Sequence, residues 1–429
     1  MDDDIFEESE TEKEAKVILN DPNPLDRICE HLDNIIAGEE DNKKSIFLLL
    51  LSGKKWIPAK RKQMILLKGE AGAGKTTLME IASLFNTKTV GRFSKHALDY
   101  TNLAGYEVLR LKEIGFMDKE EQGVSAIKFL SADDMGYEVE VTERVEGSWT
   151  TKQYKIPPIT LITSTTRIEM DSQYERRSWI FNPDESPEQT EKIRKWKVKQ
   201  ERQEIEVELG KREMTDCKRS KQVLRALVRR LKPCTVVIPY IETLLSVLDS
   251  DVLRVRGDYD KILSAVWIYG VLLQKVERHK VLNTPKGEVL VVVPKAKRAI
   301  EVLKIIKNPL SAMQSGLEAR TQKLIEPLKN RDITDKGMMI NKFERERIAT
   351  ELGKAEPTVR HYLYEWVKRG YVSSNGKRPA TYTLLLNLAE IEKKMRTIVG
   401  FEDIPNLEAK MQEEANKYFK TYRTTEGEG

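Results

Sequence analysis

The apolar positions follow two repeating patterns, and the change from one pattern to the other predicts the order of the elements. Short runs that are apolar at nearly every position, Gln63 to Lys68 and Ile159 to Ile162, are typical of strands buried on both faces of a sheet. From Lys75 to Phe85, apolar residues recur at helical spacing instead. Strands that alternate with helices predict an α/β fold built on a parallel sheet.

Beyond this region the pattern predicts mainly helices. Glu185 to Lys232 is dense in charge, which predicts solvated helices that meet near Gly210. The apolar stretch Asp258 to Arg278 predicts a packed helix, and Gly287 to Lys295 predicts a strand. The helix expected after that strand should break at Pro309, because proline cannot donate a helical hydrogen bond.

Composition narrows the class of protein. The 429 residues are too many for a single hydrophobic core, and 33% of them are charged. The longest apolar run, Ser45 to Gly53, is far shorter than the ~18 residues that span a bilayer. The acidic start lacks the basic and apolar regions of a signal peptide. The 3 cysteines and 4 histidines show no metal-ligand spacing, so we expect a cytoplasmic protein without structural zinc.

The net charge of +5 is small, but the acidic N-terminus leaves the remaining chain more basic than this total suggests. Such a distribution is compatible with nucleic-acid binding without requiring it.

A glycine-rich segment after the first predicted strand has the spacing of a phosphate-binding loop, or P-loop. Its residues are Gly69, Gly72, Gly74, Lys75, Thr76 and Thr77. Glycines let the backbone N–H groups turn toward phosphate oxygens, and the start of the next helix adds partial positive charge. We therefore expect an ATP site in which Lys75 contacts the β- and γ-phosphates and Thr76 contacts Mg²⁺. A glycine turn without function is the alternative.

Hydrolysis also needs a carboxylate near the γ-phosphate. The stretch Val108 to Ile114 predicts a buried strand that ends in Glu113, the candidate to polarise the attacking water and to hold the metal. Such strands usually end in two acids, whereas Lys112 precedes this one. Either Glu113 serves both roles or Asp118 assists, and a surface glutamate after an edge strand is the alternative.

The next predicted strand ends in Thr163, Ser164 and Thr165, where open α/β sheets bind their ligands. One of these hydroxyls is expected to sense the γ-phosphate, and we assign this role to Thr165. Arg176 and Arg177 follow this strand. One of them, preferably Arg177, would stabilise the charge of the transition state in the site of a neighbouring subunit. Ordinary surface arginines are the alternative.

Between these two strands, apolar and polar residues alternate from Tyr137 to Thr142, and Glu146 to Ser148 predicts a turn. The pattern indicates a long inserted β-hairpin with little core of its own, which could move as nucleotide turns over. Trp149, Lys152 and Lys155 lie at or beyond its predicted tip, where they would contact a sugar-phosphate backbone or a base. A structural hairpin with a solvated face is the alternative.

A second module, Ile340 to Leu386, predicts two helices joined by a short turn and then two strands around Asn375-Gly376. Phe343, Ile348 and Leu352 form the predicted apolar stripe of its first helix. The segment resembles winged helix-turn-helix DNA-binding domains. The expected DNA contacts are Thr358, Arg360, His361 and Tyr364 on the second helix, with Lys377 and Arg378 in the wing. Docking of another protein is the alternative.

The order of P-loop, strand ending in Glu113, hairpin, sensor strand and arginine resembles AAA+ ATPases of the pre-sensor-1-hairpin group. This group includes minichromosome maintenance (MCM) helicases and superfamily 3 viral and plasmid replication helicases. Over Asp21 to Ile193, stretches such as "GEAGAGKTTL", "SKHALDY" and "ERRSWIF" are similar to MCM-like helicase-related proteins of mobile elements. The resemblance implies a ring, expected to be hexameric, that translocates on DNA with ATP and Mg²⁺.

The resemblance also implies a helical lid whose sensor arginine contacts ATP. Arg254 and Arg256, just before the packed helix, are the candidates, with plain surface arginines as the alternative. The expected divisions are a tail and helix (1–43), an ATPase core (44–185), a charged helical linker (186–232), a helical lid (233–308), a linker (309–339), a winged helix (340–388) and a helical tail (389–429).

Three functions fit these predictions. The first is an ATP-driven DNA helicase or translocase that holds single-stranded DNA in a ring pore and duplex DNA at the winged helix. The second is an initiator that assembles on DNA when ATP binds, without processive unwinding. The third is a winged-helix regulator whose nucleotide site only reports occupancy.

Overall fold

The computed structural model describes residues 9–91, 101–112, 137–145, 148–166, 174, 177–248, 255–284, 287–315, 323–368, 370–395 and 404–425. Glu113, Asp118, Arg176, Arg254 and the predicted hairpin turn at 146–147 lie outside these residues. The chain forms two units, the first of Met1–Ser246, Arg256–Lys307 and Asp403–Gly429, and the second of Val247–Val255 and Asn308–Glu402.

The helices are α1 (Glu10–Asn20), α2 (Pro24–Asp33), α3 (Glu40–Leu50), α4 (Lys75–Leu78), α5 (Pro187–Glu208), α6 (Asp216–Arg230), α7 (Ile241–Leu245), α8 (Val255–Leu272), α9 (Ala296–Ser315), α10 (Ile325–Lys329), α11 (Lys342–Glu351), α12 (Glu356–Lys368), α13 (Leu388–Met395) and α14 (Ile404–Thr425). Three 3₁₀ segments cover Leu51–Gly53, Ala59–Arg61 and Met79–Leu84. None of these described helices combines the length and apolar character that crossing a bilayer requires.

The strands are β1 (Met64–Lys68), β2 (Thr87–Val90), β3 (Val108–Leu111), β4 (Tyr137–Val145), β5 (Ser148–Ile156), β6 (Thr160–Thr165), β7 (Ser178–Phe181), β8 (Thr235–Val236), β9 (Arg278–Thr284), β10 (Gly287–Val293), β11 (Met339–Ile340), β12 (Val372–Ser374) and β13 (Tyr382–Leu384).

A five-stranded parallel sheet with helices against it forms the core of the first unit. Its strand order is β2-β3-β6-β1-β7, and every neighbouring pair is parallel. All residues of β1, β3, β6 and β7 are buried, which explains why these strands are apolar runs without alternation. The predicted α/β class, with a parallel sheet of the P-loop ATPase type, is confirmed.

The end of α3 is fixed to the start of β1 by a half-buried lysine. The Lys62 ammonium donates hydrogen bonds to the carbonyls of Ser52, Gly53 and Lys54 at 2.9, 3.2 and 2.9 Å. Burial lowers the pKa of Lys62 to about 8. These bonds satisfy carbonyls that the end of a helix leaves without donors, and they set the direction from which β1 enters the sheet.

The predicted hairpin is present: β4 and β5 pair antiparallel over nine residues each, from Tyr137 opposite Ile156 to Val145 opposite Ser148. Ile156 is buried in the apolar core on the face of the sheet that holds Leu66, Leu109 and Leu161. The base of the hairpin is therefore anchored in the same core that supports the sheet.

The remaining part of the first unit contains more strand than the sequence indicated. The predicted strand is β10, and the charged segment forms two helices, α5 and α6, on either side of Gly210 as expected. However, β8, β10 and β9 form a small sheet within the region expected to be helical. Strand β9, "RHKVLNT", has no regular apolar alternation, so its sequence gave no strand signal.

A buried arginine connects the N-terminal helices to this region. Arg298 of α9 bonds the carboxylates of Glu277 and Glu301 at 2.8 and 2.9 Å. It also donates to Asn23 Oδ1 at 3.0 Å and to the Pro22 carbonyl at 2.5 Å. One guanidinium thus joins the start of α2 to α9, and its charge is fully compensated in the interior.

The second unit, described by itself, has the predicted order of elements. Helices α11 and α12 are followed by the antiparallel strands β12 and β13. Strand β11, which precedes α11 and was not predicted, pairs with β13 and completes a sheet of order β11-β13-β12. Ile348, Val359, Leu363 and Trp366 belong to its buried core. Phe343 was predicted to share the inner stripe of α11, but its side chain is 62% exposed, with the Arg347 guanidinium over its ring.

Helix α9 does not break at Asn308-Pro309 as predicted, but continues through Pro309 to Ser315. Proline lacks the N–H that would bond the carbonyl of Ile305 four residues earlier. The hydroxyl of Ser45, a fully buried residue of α3, donates to this carbonyl at 3.0 Å. A side chain from another helix thus replaces the missing donor, so the proline is tolerated.

This interpretation predicts the effect of Ser45→Ala. We expect the free energy of unfolding to fall by about 1–3 kcal/mol, because the Ile305 carbonyl would be buried without a donor. In a Pro309→Ala background the restored N–H satisfies that carbonyl, so the same substitution should cost less than half as much. Urea denaturation of the four proteins of this cycle measures both costs, and equal costs in the two backgrounds would refute the explanation.

Candidate nucleotide-binding site

The P-loop follows directly from β1, which lies between β6 and β7 in the sheet. The Gly69 N–H donates to the Thr165 carbonyl at 3.4 Å, so the loop begins beside the end of β6. Gly72 and Gly74 have φ of +86° and +87°, a region that other residues rarely adopt, and a Cβ at either position would touch nothing within 4 Å. Backbone conformation, and not crowding, therefore requires glycine at these two positions.

Lys75 is buried, and its ammonium donates to the carbonyls of Gly69 and Glu70 at 2.9 and 2.7 Å. The lysine thus folds back across the mouth of the loop, where its charge is available to an anion that enters the loop. Thr76 and Thr77 follow on the first turn of α4 and are exposed. This arrangement is suitable for binding phosphate groups.

The helix after the loop differs from the prediction. It is α-helical only from Lys75 to Leu78 and continues as the 3₁₀ segment Met79–Leu84. The apolar residues predicted for it are buried, namely Leu78, Met79, Ile81, Ala82 and Leu84. Burial of the correct face was therefore predictable from the sequence, whereas the change of helix type was not.

Glu113 and Asp118 lie outside the described residues, but the strand before them is well placed. Leu111 and Leu66 both pair with Thr163, so β3 reaches the same edge of the sheet as the P-loop, with β6 between them. The Ser164 hydroxyl donates to the Lys112 carbonyl at 2.7 Å, which fixes the backbone just before Glu113.

The three sensor candidates differ in their surroundings. Thr165 is fully buried and pairs with Lys68, the last residue of β1. The Ser164 hydroxyl is already bonded to Lys112, and the Thr163 hydroxyl is buried with no hydrogen-bond partner in the part of the chain described. Thr165 is thus the candidate at the very edge where the P-loop begins.

Arg177 is exposed and lies at the opposite edge of the sheet. It directly precedes β7, whose first residue, Ser178, pairs with Met64 at the start of β1. The P-loop lies at the other end of β1, about 13 Å away at 3.3 Å per residue. Arg177 is therefore badly placed for the phosphate site of its own chain. Arg256 lies in the first turn of α8.

Two residues near the P-loop were not predicted from the sequence. Arg110 on β3 is 7% exposed; one terminal nitrogen lies 2.8 Å from the Glu80 carboxylate and the other 3.5 Å from the Thr76 carbonyl. Where the helix changes from α to 3₁₀ spacing after Leu78, the Thr76 carbonyl of this turn receives no helical N–H. Arg110 donates to this carbonyl. The only sequence signal was a cation inside the apolar strand "VLRL".

Glu185 is the second of these residues. Its carboxylate accepts from the Glu70 N–H at 3.3 Å, and a Cβ at Gly69 would lie 3.6 Å from the same oxygen. The residue follows β7 by four positions, so nothing in its local sequence connects it with a loop more than a hundred residues away.

The hairpin separates residues that were expected to act together. In the β4-β5 register Trp149 pairs with Arg144, Lys152 with Val141, and Lys155 with Glu138. Because side chains alternate between faces, Trp149 and Lys155 lie on one face and Lys152 lies on the other. Trp149 is 72% exposed beside the turn. Lys155 is near the base of the hairpin, about 20 Å from Trp149. Its ammonium lies 3.4 Å from the Glu138 carboxylate.

In the second unit, the predicted DNA contacts belong to two surfaces. Arg360 and Tyr364 are exposed one turn apart on α12, and Thr358 and His361 are half-buried. The Nε2 atom of His361 is buried and has no partner among the described residues. Lys377 and Arg378 are exposed in the loop between β12 and β13.

Comparison with known proteins gave matches only among solved structures. No family model matches the chain, and no curated protein matches it. One similar structure is a full-length MCM homolog from Methanopyrus kandleri, with 11% identity and a TM-score of 0.43. That comparison covers 72% of this chain and only 63% of the homolog. Another is the SCCmec type IV Cch active helicase, with 10% identity, a TM-score of 0.31, and coverage of 85% and 72%.

The geometry around Arg110 generates a prediction for the site. Arg110→Met removes both contacts while keeping a side chain of similar length, so the turn with Lys75 and Thr76 loses its link to β3. We expect ATP affinity to fall about tenfold, equivalent to about 1.4 kcal/mol. Arg110→Lys keeps the charge near Glu80 and should lose less than threefold. Isothermal titration with ATP measures both, and wild-type affinity in the methionine variant would show that Arg110 has no role in the site.

Proposed function

We propose that the chain is an ATP-dependent DNA helicase or translocase that acts as a ring, with six subunits as the expected number. The observation that supports this most directly is the connection between two elements. The P-loop lies at one edge of the sheet beside the end of β6, and the β4-β5 hairpin leads into β6 after only three residues. The hairpin enters at the amino end of β6, the edge opposite the P-loop, so this one buried strand connects the phosphate site to the base of the hairpin.

The residues of the site have defined roles in this proposal. Lys75 and the N–H groups of the loop bind the phosphates, Thr165 senses the γ-phosphate, and Glu113 orients the attacking water. Thr76 and Glu113 would hold Mg²⁺; an exposed threonine hydroxyl and a carboxylate suit this ion, which would neutralise charge on the phosphate oxygens. The sensor arginine of the lid is proposed to be Arg254 or Arg256.

The position of Arg177 supports a site shared between subunits. Since it lies at the edge of the sheet opposite its own P-loop, it can stabilise phosphate charge only in the site of another copy. A ring supplies such a copy at every interface. In this proposal the hairpin grips single-stranded DNA, the second unit binds duplex DNA through α12 and the β12-β13 loop, and the process served is replication of a mobile element, plasmid or virus.

Hydrolysis measurements test the enzymatic part. We expect the wild type to hydrolyse ATP faster in the presence of single-stranded DNA and Lys75→Ala to show no hydrolysis. Glu113→Gln should bind ATP but hydrolyse it at least a hundredfold more slowly, because the water loses its orienting carboxylate. Normal hydrolysis by the glutamine variant would remove Glu113 from the mechanism. Hydrolysis that is indifferent to DNA would favour the ATP-gated initiator or the regulator.

Strand-displacement measurements test the hairpin, one face at a time. Trp149→Ala/Lys155→Ala changes one face, and we expect at least a tenfold loss of unwinding with hydrolysis within twofold of wild type. Lys152→Ala changes the other face and is the matched comparison, which shows whether DNA contacts both faces. If neither variant affects unwinding, the hairpin has no part in the mechanism.

A further inference from the structure

Helix α6 has two faces of opposite character. Its inner face is buried against α1, α2 and the 3₁₀ segment Met79–Leu84. The buried residues are Ser220, Val223, Leu224, Ala226, Leu227 and Val228. This inner face accounts for the position of the helix in the fold, so the composition of the outer face is not needed to hold it there.

The outer face is cationic. Lys218, Gln222, Arg225 and Arg229 are exposed at intervals of four, three and four residues, which places them along one side of the helix. The three cations among them are here called the α6 stripe. The stripe spans about 16 Å at 1.5 Å per residue. Lys232, also exposed, continues the basic run just beyond the end of the helix.

The stripe differs from Arg219 and Arg230 of the same helix because its cations form no internal ion pairs among the described residues. Arg219 and Arg230 reach carboxylates of α1, at 3.0 Å from Glu14 and 3.7 Å from Glu12. The three residues of the stripe have no carboxylate within 4.0 Å in the described part of the chain.

Two further acids were considered. Asp216, the one acid of α6, bonds Arg212 and Lys199. Glu201 and Glu204 of α5 line the same cavity as Lys218, so the charge at that end is partly offset.

Helix electrostatics do not explain the stripe. A cation in the last turn interacts favourably with the helix dipole, which accounts for Arg229. Lys218 lies in the first turn, where positive charge is unfavourable, and Arg225 and Arg229 repel each other at i,i+4 spacing. A row of like charges that costs folding energy and has no carboxylate partner among the described residues indicates an anionic ligand.

The spacing and the residue types suit a phosphate backbone. Each strand of duplex DNA presents one negative charge per 3.4 Å of axis, a repeating charge that a row of cations can match. Two of the three residues are arginines, whose planar guanidinium groups bond phosphate oxygens well. We propose that the α6 stripe binds the sugar-phosphate backbone of duplex DNA without reading its sequence. This surface is additional to the hairpin and to the second unit, and it does not depend on ATP hydrolysis.

The stripe also contacts the element that follows the P-loop helix. The Nε of Arg225 donates to the Ser83 carbonyl at 3.1 Å, in the 3₁₀ segment after α4. This bond holds the Arg225 side chain against the 3₁₀ segment, and the two terminal guanidinium nitrogens extend beyond it. DNA bound along the stripe would lie within one side chain of that element.

The test is the salt dependence of DNA binding by the full chain. Fluorescence anisotropy with a mixed-sequence duplex would compare the wild type with Lys218→Gln/Arg225→Gln/Arg229→Gln. We expect affinity at about 0.1 M salt to fall at least tenfold. The slope of log K against log salt should shrink by about 2–3, since each lost phosphate contact is worth about 0.9.

A control variant makes the same charge change elsewhere in the first unit. Lys410→Gln/Lys417→Gln/Lys420→Gln alters three lysines of α14, a helix that also carries Glu408, Glu413 and Glu414. It should bind within twofold of wild type. The stripe variant should also reduce binding further in an Arg360→Ala/Lys377→Ala background, because the two surfaces are independent.

Defined outcomes would overturn the proposal. Unchanged affinity and slope in the stripe variant would do so, as would equal losses in the α14 control. Loss of binding to anionic phospholipid vesicles without loss of DNA binding would assign the stripe to a membrane surface. Far-UV circular dichroism and ATP affinity should match the wild type, which excludes misfolding. A chain that binds DNA through the stripe but does not unwind it would contradict the proposed motor and leave this inference intact.

Discussion

The pairing of β1 on both sides is the constraint on which the site depends. Hydrogen bonds to β6 and β7 and full burial fix this strand, so the P-loop leaves the sheet from a rigid base. Because all five strands are parallel, their carboxyl ends meet at one edge and their amino ends at the other. This single fact puts the loop, Thr165 and the end of β3 together and keeps Arg177 away from them.

The hairpin inherits its position from the same sheet. Its base is anchored through Ile156 in the core beneath the sensor strand, whereas Trp149 lies at the free end. A long ribbon with little core of its own is stabilised mainly at the end that enters the sheet. Its two faces carry different side chains, with Trp149 and Lys155 on one face and Lys152 on the other.

Buried and exposed cations are treated differently throughout the first unit. Lys62, Lys75, Arg110 and Arg298 each donate to backbone carbonyls, so each positive charge is used in hydrogen bonds within the fold. These residues hold junctions between elements: α3 with β1, the loop with its helix, β3 with the turn after the P-loop, and α2 with α9. In the α6 stripe only Arg225 makes such a bond, to the Ser83 carbonyl, and no carboxylate of the described residues pairs with the three cations, which is the physical reason to assign them an external partner.

The sequence by itself determined the elements whose signals are local. Glycine spacing gave the phosphate loop, uninterrupted apolar runs gave the parallel strands, and strict alternation gave the hairpin, because each pattern reflects the period of the backbone. Tertiary structure decided what depends on distant partners. Pro309 stays within a helix because Ser45 supplies the missing donor, and Arg110 lies beside the candidate nucleotide site because its guanidinium donates to the Thr76 carbonyl after the P-loop. Lys152 and Lys155 lie on opposite faces because of the strand register. The α6 stripe is exposed because the other face of its helix is packed against the fold. The pattern of charge along the sequence contains neither of these facts.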